Sequence, residues 1–218
     1  MAIQTDFLKT IPYFTGLEDE ELAAIAKFVT ERKLERGSII ESEEEEARVV
    51  HFVGAGVVKV FKSSADGKEQ ILNLVRPGES FNDVPVFSGR NRTGAQAMSP
   101  VTLYDLQKAD LNLILKKHPP VATNLIQVLS ERVEQLMTLV EDLSFRPVVG
   151  RVARILLEQA DGLNRNPRLT QQEMAAMAGT AREMVGRSLK ALEEEGAIKL
   201  DRHLIIIKNK KELREIAR

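Results

Sequence analysis

The 218-residue sequence has no cysteine, no tryptophan, two tyrosines and three histidines. Without thiols it has no disulfide, no thiol redox sensor and no cysteine-ligated iron–sulfur cluster. No apolar run approaches the roughly 20 residues of a membrane span. The N-terminus lacks the basic-then-apolar order of a signal peptide, so a cytoplasmic chain with no membrane partner is expected. His51, His118 and His203 are too dispersed to supply the convergent ligands of a metal-dependent cupin-type enzyme. No Ser-His-Asp set, Walker-type loop or paired carboxylates stand out either, and the chain is not read as an enzyme. What it does have is 43% hydrophobic and 29% charged residues, enough apolar side chains for real cores in a soluble globular protein.

The net charge of −1 is unevenly divided: residues 1–146 carry 17 Lys and Arg against 22 Asp and Glu, and residues 147–218 carry 14 against 10. The basic part holds the most informative stretch, residues 169–195. Thr170 followed by Glu173 is a capping box, able to satisfy two amide donors at a helix start. Met174, Ala175 and Ala178 give that helix an apolar side, and Gly179 supplies the left-handed residue at which it can end. Thr180 is placed to cap a second helix, predicted over residues 181–195 with Gly196 as its stop. Its Val185, Leu189 and Leu192 fall on one side. Arg182, Glu183, Gly186 and Arg187 are left on or near the outer face of its first turns. Residues 197–200 and 203–207 then read as two strands joined by Asp201-Arg202, the wing of a winged helix.

A recognition helix of this kind enters the major groove by its N-terminal residues. There an Arg offers two donors to guanine O6 and N7, and a Glu accepts from cytosine N4. Glu183 also stands three residues after Thr180, so capping competes with base reading for one carboxylate.

The run Arg182-Glu183-Met184-Val185-Gly186-Arg187 resembles the recognition helix of the Crp/Fnr transcription regulators, in their cyclic AMP receptor branch. The resemblance implies a homodimer on double-stranded DNA with TGTGA-like half-sites read by Arg182, Glu183 and Arg187. Thr170, Gln171, Thr180, Gly186 and Lys190 complete the expected contact set, and RNA polymerase is the expected protein partner. The match of the whole motif favours base reading for Glu183.

Upstream, residues 5–29 predict an N-terminal helical segment, with a helix from near Glu18 whose Leu22, Ile25 and Val29 point inward. Short β-rich runs follow at 38–40, 49–53, 57–61, 70–74, 94–98 and 101–106, separated by glycine-marked turns, as in an antiparallel barrel or jelly roll. The acidic run 41–46 reads as a solvated loop, since a charge run does not specify convergent metal ligands. The stretch 77–93 resembles the phosphate-cradling turn of the family's cyclic-nucleotide-binding fold. By that resemblance Gly78, Asn82, Asp83, Arg92 and Thr93 are effector contacts. Arg92-Thr93 matches the anion clamp, whereas Asn82-Asp83 stands where the family has Gly-Glu.

Residues 121–145 predict a long helix in which Leu125, Leu129, Leu136, Leu139 and Leu143 form a coiled-coil seam interrupted by Arg132. Ile126, Val133 and Val140 form a neighbouring stripe expected to pack on the barrel. Counted back from Val149-Gly150-Arg151, Leu136 and Met137 occupy the family's adenine-contacting positions, so a buried base edge would lose partners at about 1–3 kcal/mol per group. The effector is therefore left unknown. Cyclic AMP is disfavoured, a cyclic nucleotide held by the phosphate clamp stays open, and heme stays open with His51 as its candidate ligand. The expected organisation is α+β: a cyclic-nucleotide-binding-type β jelly roll over residues 1–118, a dimerisation helix over 119–146 and a winged helix-turn-helix over 147–218, with a hinge at 145–150.

Overall fold

A computed structural model describes residues 5–161, 168–202 and 204–218. In chain order its elements are α1 (Thr5–Leu8), α2 (Asp19–Ala26), β1 (Val29–Leu34), β2 (Ile39–Glu41), β3 (Val49–Ala55), β4 (Val58–Ser63), β5 (Glu69–Val75), β6 (Ser80–Phe81), α3 (Asp83–Ser88), β7 (Gly94–Ala97), β8 (Val101–Gln107), α4 (Lys108–Lys117), α5 (Pro119–Phe145), α6 (Val148–Asp161), α7 (Gln171–Ala178), α8 (Arg182–Glu194), β9 (Ile198–Asp201), β10 (Leu204–Ile207) and α9 (Lys210–Ile216). They form two compact units, Met1–Ser63 with Leu72–Gln135, and Ser64–Ile71 with Leu136–Arg218. Among the described residues no helix is long and apolar enough to cross a membrane.

The first eight strands make two four-stranded sheets of order β1-β8-β3-β6 and β2-β7-β4-β5. Val53, Val58, Val75, Phe81 and Leu103 fill the space inside. A second cluster joins Phe14, Leu22, Ile25, Phe52, Leu106, Leu111 and Leu125 on the helical side. Two strands escape the sequence pattern. Val29 continues the helical spacing of Leu22 and Ile25, yet α2 ends at Ala26 and Val29 opens β1, paired with Leu106 of β8. The other, β6, is only two residues long and too short to show a period.

The long helix exposes the stripe expected on the barrel and turns only the start of the expected seam, Leu125 and Leu129, inward. Asn124 Nδ2 donates to the carbonyls of Tyr13 at 3.0 Å and Thr15 at 2.9 Å, and Arg132 Nη2 donates to the carbonyl of Ser80 at 2.9 Å. These anchors turn Val121, Leu125, Val128 and Leu129 toward the first unit's core. Ile126 (65% exposed), Val133 (56%), Met137 (67%) and Val140 (63%) are left in water, so the stripe expected on the barrel is the free one. Leu136 and Leu143 flank it, partly exposed.

The acidic run is not uniformly solvated. His51 of β3 is buried, with Nε2 2.6 Å from Glu41 Oε1 of β2 and Nδ1 2.7 Å from Asp105 Oδ1 of β8. Its ring stacks on Phe81 at 4.7 Å, and Asp105 Oδ2 lies 3.0 Å from Arg32 Nε of β1. Glu41 also accepts from Asn91 Nδ2. One imidazole thus ties the two sheets together between two carboxylates.

In the second unit α6, α7, α8, α9 and the β9–β10 hairpin close on a core of Val152, Leu156, Met174, Val185, Leu189, Leu192 and Leu213. Asp142 holds the break between α5 and α6 by accepting from Arg146 Nε at 2.8 Å and Arg154 Nη1 at 3.0 Å. A Cβ on Gly150 would stand 3.0 Å from the Ile216 carbonyl, so any larger residue there requires α9 to give by a few tenths of an ångström.

Burial opposes charge on His51, but the hydrogen bonds and charges of Asp105 and Glu41 outweigh it and hold its pKa above the ordinary 6.5. With a raised folded pKa, this stabilisation is complete below about 6.5 and is lost as pH rises through the folded value. Thermal melts taken at increasing pH should show the wild-type melting temperature falling across that window. His51→Gln, which has no proton to lose there, should melt at a lower temperature with no such step.

Candidate nucleic-acid interface and sensing site

Thr170 caps α7 as a full box: its Oγ1 accepts from the Glu173 amide at 3.1 Å, and Glu173 Oε2 accepts from the Thr170 amide at 2.6 Å. Gly179 ends the helix in the left-handed region at φ 59°, and its amide donates to the Ala175 carbonyl. A Cβ at Gly179 would strike the Leu143 side chain and come 3.0 Å from Gln70 Oε1. The second helix begins one residue later than expected. Ala181, not Thr180, is its N-cap, and no side chain caps it. Glu183 is therefore the second residue of α8 and outside any capping box, which removes the competing role for its carboxylate.

Val185, Leu189 and Leu192 are buried against α6 and α7, as their spacing predicts, and Ser188 Oγ bonds back to the Met184 carbonyl at 2.8 Å. Glu183, Arg187 and Lys190 are exposed on the opposite side, Arg182 is exposed at the edge of the groove that Leu189 lines, and Gly186 is half-buried. Gln171 is exposed at the first turn of α7, and Thr180 is half-buried in the turn. The hairpin is also shifted by one: β9 runs through Asp201, β10 starts at Leu204, and Leu204 pairs with Asp201. Arg202 takes the left-handed region at φ 51° in the connecting turn, and His203, expected to open the second strand, lies outside the described residues.

Between α7, α8 and this hairpin lies an open groove of about 700 Å³ whose lining includes Arg168, Arg182 and Arg202 with Leu189, Leu200 and Leu204. Arg168 and Arg202 were not among the residues expected from sequence. Beside Arg182, Arg168 and Arg202 add two guanidiniums to this lining, donors suited to a phosphate backbone.

In the first unit the expected effector residues divide by environment. Asn82 sits at φ 67°, a conformation that Gly adopts freely and Asn tolerates, and its Nδ2 donates to the Val49 carbonyl at 2.9 Å. The Asn82 side chain is thus tied to the start of β3. Gly78, at φ 90°, donates its amide to the Val53 carbonyl at 2.8 Å and serves the turn before β6. Asp83 is buried and accepts from the hydroxyl of Tyr13, with Arg132 Nη2 3.9 Å from its other oxygen. Burial, and then the facing Asp83 carboxylate, push the Tyr13 phenol far above its ordinary pKa, so it remains a donor.

Arg92 is exposed, makes no hydrogen bond or ion pair with another described residue, and is followed by half-buried Thr93. Leu136 and Met137 are exposed on α5. Tyr13 and Arg132, which govern the Asp83 environment, carried no sequence signal beyond being one of two adjacent aromatics and a polar break in a seam. His51, the candidate heme ligand, has both ring nitrogens against carboxylates, so the residues present do not fit an axial iron ligand. Among the described residues no group of three or more His, Asp or Glu is arranged to hold a metal ion.

Residues 31–118 match the family model of a cyclic nucleotide-binding domain, and residues 150–216 that of a Crp-like helix-turn-helix domain. The cyclic AMP receptor protein of Thermus thermophilus is 31% identical over 212 residues, covering 96% of this chain and 98% of its own. A CRP-like cAMP-activated global transcriptional regulator of Mycobacterium tuberculosis is 28% identical over 214 residues, covering 94% and 96%. Among solved structures, FixK2 from Bradyrhizobium japonicum superposes with a TM-score of 0.77 at 23% identity over 86% of this chain and 96% of its own, a likeness of fold.

The two glycines of the helical pair should respond oppositely to alanine. Gly179→Ala forces a left-handed Cβ, costing about 1–2 kcal/mol before the Leu143 clash is added. Gly186 is a helix-interior glycine with its nearest neighbour, Gln171 Oε1, 3.9 Å from where a Cβ would stand. Gly186→Ala should therefore stabilise the chain by about 0.5–1 kcal/mol, while weakening any partner that approaches this face closely. Thermal melts of the two variants beside a DNA titration separate these effects.

Proposed function

The chain belongs to the Crp/Fnr family of DNA-binding transcription regulators, and from that premise we propose that it acts as a homodimer reading a TGTGA-like palindrome. The observation that carries this reading is the start of α8, where Arg182, Glu183 and Arg187 are exposed together and no cap claims Glu183. Two arginines and a carboxylate have the donor and acceptor pattern that distinguishes guanine and cytosine edges in the major groove. Thr170, Gln171, Thr180 and Lys190, with Arg168 and Arg202 of the groove, hold the flanking phosphates, which makes affinity fall with salt. Gly186 lets the helix approach the bases.

The free stripe of α5 supports the dimer: Ile126, Val133, Met137 and Val140 recur at coiled-coil spacing, and a parallel copy covers them. Two recognition helices then enter successive major grooves, roughly 34 Å apart. Residues 1–118 act as the sensing part, 119–146 as the pairing part and 147–218 as the reading part of a cytoplasmic regulator that works with RNA polymerase.

A small effector in the N-terminal barrel biases the arrangement of the two reading heads. The relatives named for cyclic AMP do not carry that ligand over to this chain, because Leu136 and Met137 offer no polar group to a base and Asp83 is already engaged. Arg92 with Thr93 is the pair left open to an anion.

Arg182→Ala should cost about 1–3 kcal/mol on a palindromic TGTGA duplex and relax the preference at the base it reads. An anisotropy titration against both the palindrome and a scrambled duplex checks this. Equal losses on the two would make Arg182 a phosphate contact and overturn its assignment.

A further inference from the structure

The first unit contains an aromatic hydroxyl bonded to Asp83, an expected effector contact whose carboxylate would otherwise take a donor from a ligand. Tyr13 is fully buried, its ring meets Phe52 edge-on at 5.2 Å and 89°, and its hydroxyl donates to Asp83 Oδ1. The other oxygen of Asp83 faces Arg132 Nη2 at 3.9 Å, and the same nitrogen donates to the Ser80 carbonyl at 2.9 Å. Asn124 of α5 meanwhile holds the main-chain carbonyls of Tyr13 and Thr15. The turn at Pro12–Phe14, the start of α3 and the barrel-facing side of α5 are therefore connected through protein groups alone.

We propose that Tyr13 is the specificity-determining residue of this sensing site: it occupies Asp83 from within, fixes α5 against the barrel without a ligand, and refuses ligands whose hydroxyls need that carboxylate. Sugar diols, and hence nucleotides, are the excluded class. A diol that took Asp83 would leave a buried phenol without an acceptor, and leaving a buried donor unpaired is costly.

The proposal rests on reading residues 1–118 as the sensing part of a DNA-binding regulator, and its test works without DNA. Full-length wild type, Tyr13→Phe and Tyr13→Leu are titrated calorimetrically with cyclic AMP and with cyclic GMP up to about 1 mM, the upper end of weak specific binding. Thermal melts establish which variants are folded. Tyr13→Phe keeps the ring and frees the carboxylate, and Tyr13→Leu also opens space. No heat of binding is expected for wild type, and at least a tenfold gain in nucleotide affinity for a folded variant.

Nucleotide binding by the wild type, or folded variants that bind no better than it, overturns the proposal. Should neither variant melt cooperatively, the wild-type titration decides alone, absence of binding supporting the proposal and binding overturning it. A parallel titration of wild type on palindromic and scrambled duplexes tests the DNA-reading function separately. Its failure would leave the nucleotide result standing.

Discussion

An α-helix with apolar residues on two sides cannot bury both against one barrel, and in this chain that constraint orders everything else. The side of α5 carrying Val121, Leu125 and Val128 packs into the first unit, which leaves Ile126, Val133, Met137 and Val140 in water. Each large aliphatic group removed from water is worth about 1.5–3 kcal/mol, so a helix exposing four of them in line favours a second copy. The proposed dimer follows from that stripe, and from the dimer follow the two-fold target and the spacing of the reading heads.

The reading head was the most legible part of the sequence because its signals are local. Thr170 with Glu173, Gly179 as the left-handed stop, and the inward Val185, Leu189 and Leu192 all act within a turn or two of chain, and the structure uses each as its spacing implies. The errors there were shifts of one residue. Thr180 has a hydroxyl suited to capping, but Ala181 holds the extended backbone conformation that an N-cap needs. The β9–β10 turn moved by one because the ladder pairs Asp201 with Leu204.

The barrel was legible as a class, and its polar interior was not. Which stripe of α5 faces inward is decided by Asn124 and Arg132 bonding to main-chain carbonyls of Tyr13, Thr15 and Ser80, acceptors that every residue carries and no composition reveals. The same holds for Glu41, one glutamate in an acidic run, which alone meets the buried His51. The departures from the family pattern at 82 and 83 were visible in sequence, whereas their meaning was not. Asn82 preserves a left-handed turn and Asp83 serves an internal tyrosine, so two substitutions that look like a damaged ligand site are integrated parts of a packed one.

The most direct measurement of the central claim is the dependence of affinity on half-site separation. Two TGTGA half-sites are kept at their palindromic spacing or moved apart by about five base pairs, half a helical turn, which places the second site on the opposite face of the duplex. Two heads fixed by one α5 seam should bind the first duplex tightly and the second no better than a duplex carrying a single half-site. Equal affinity for both spacings would contradict the account, because it would mean that the heads read DNA independently of the helix proposed to join them.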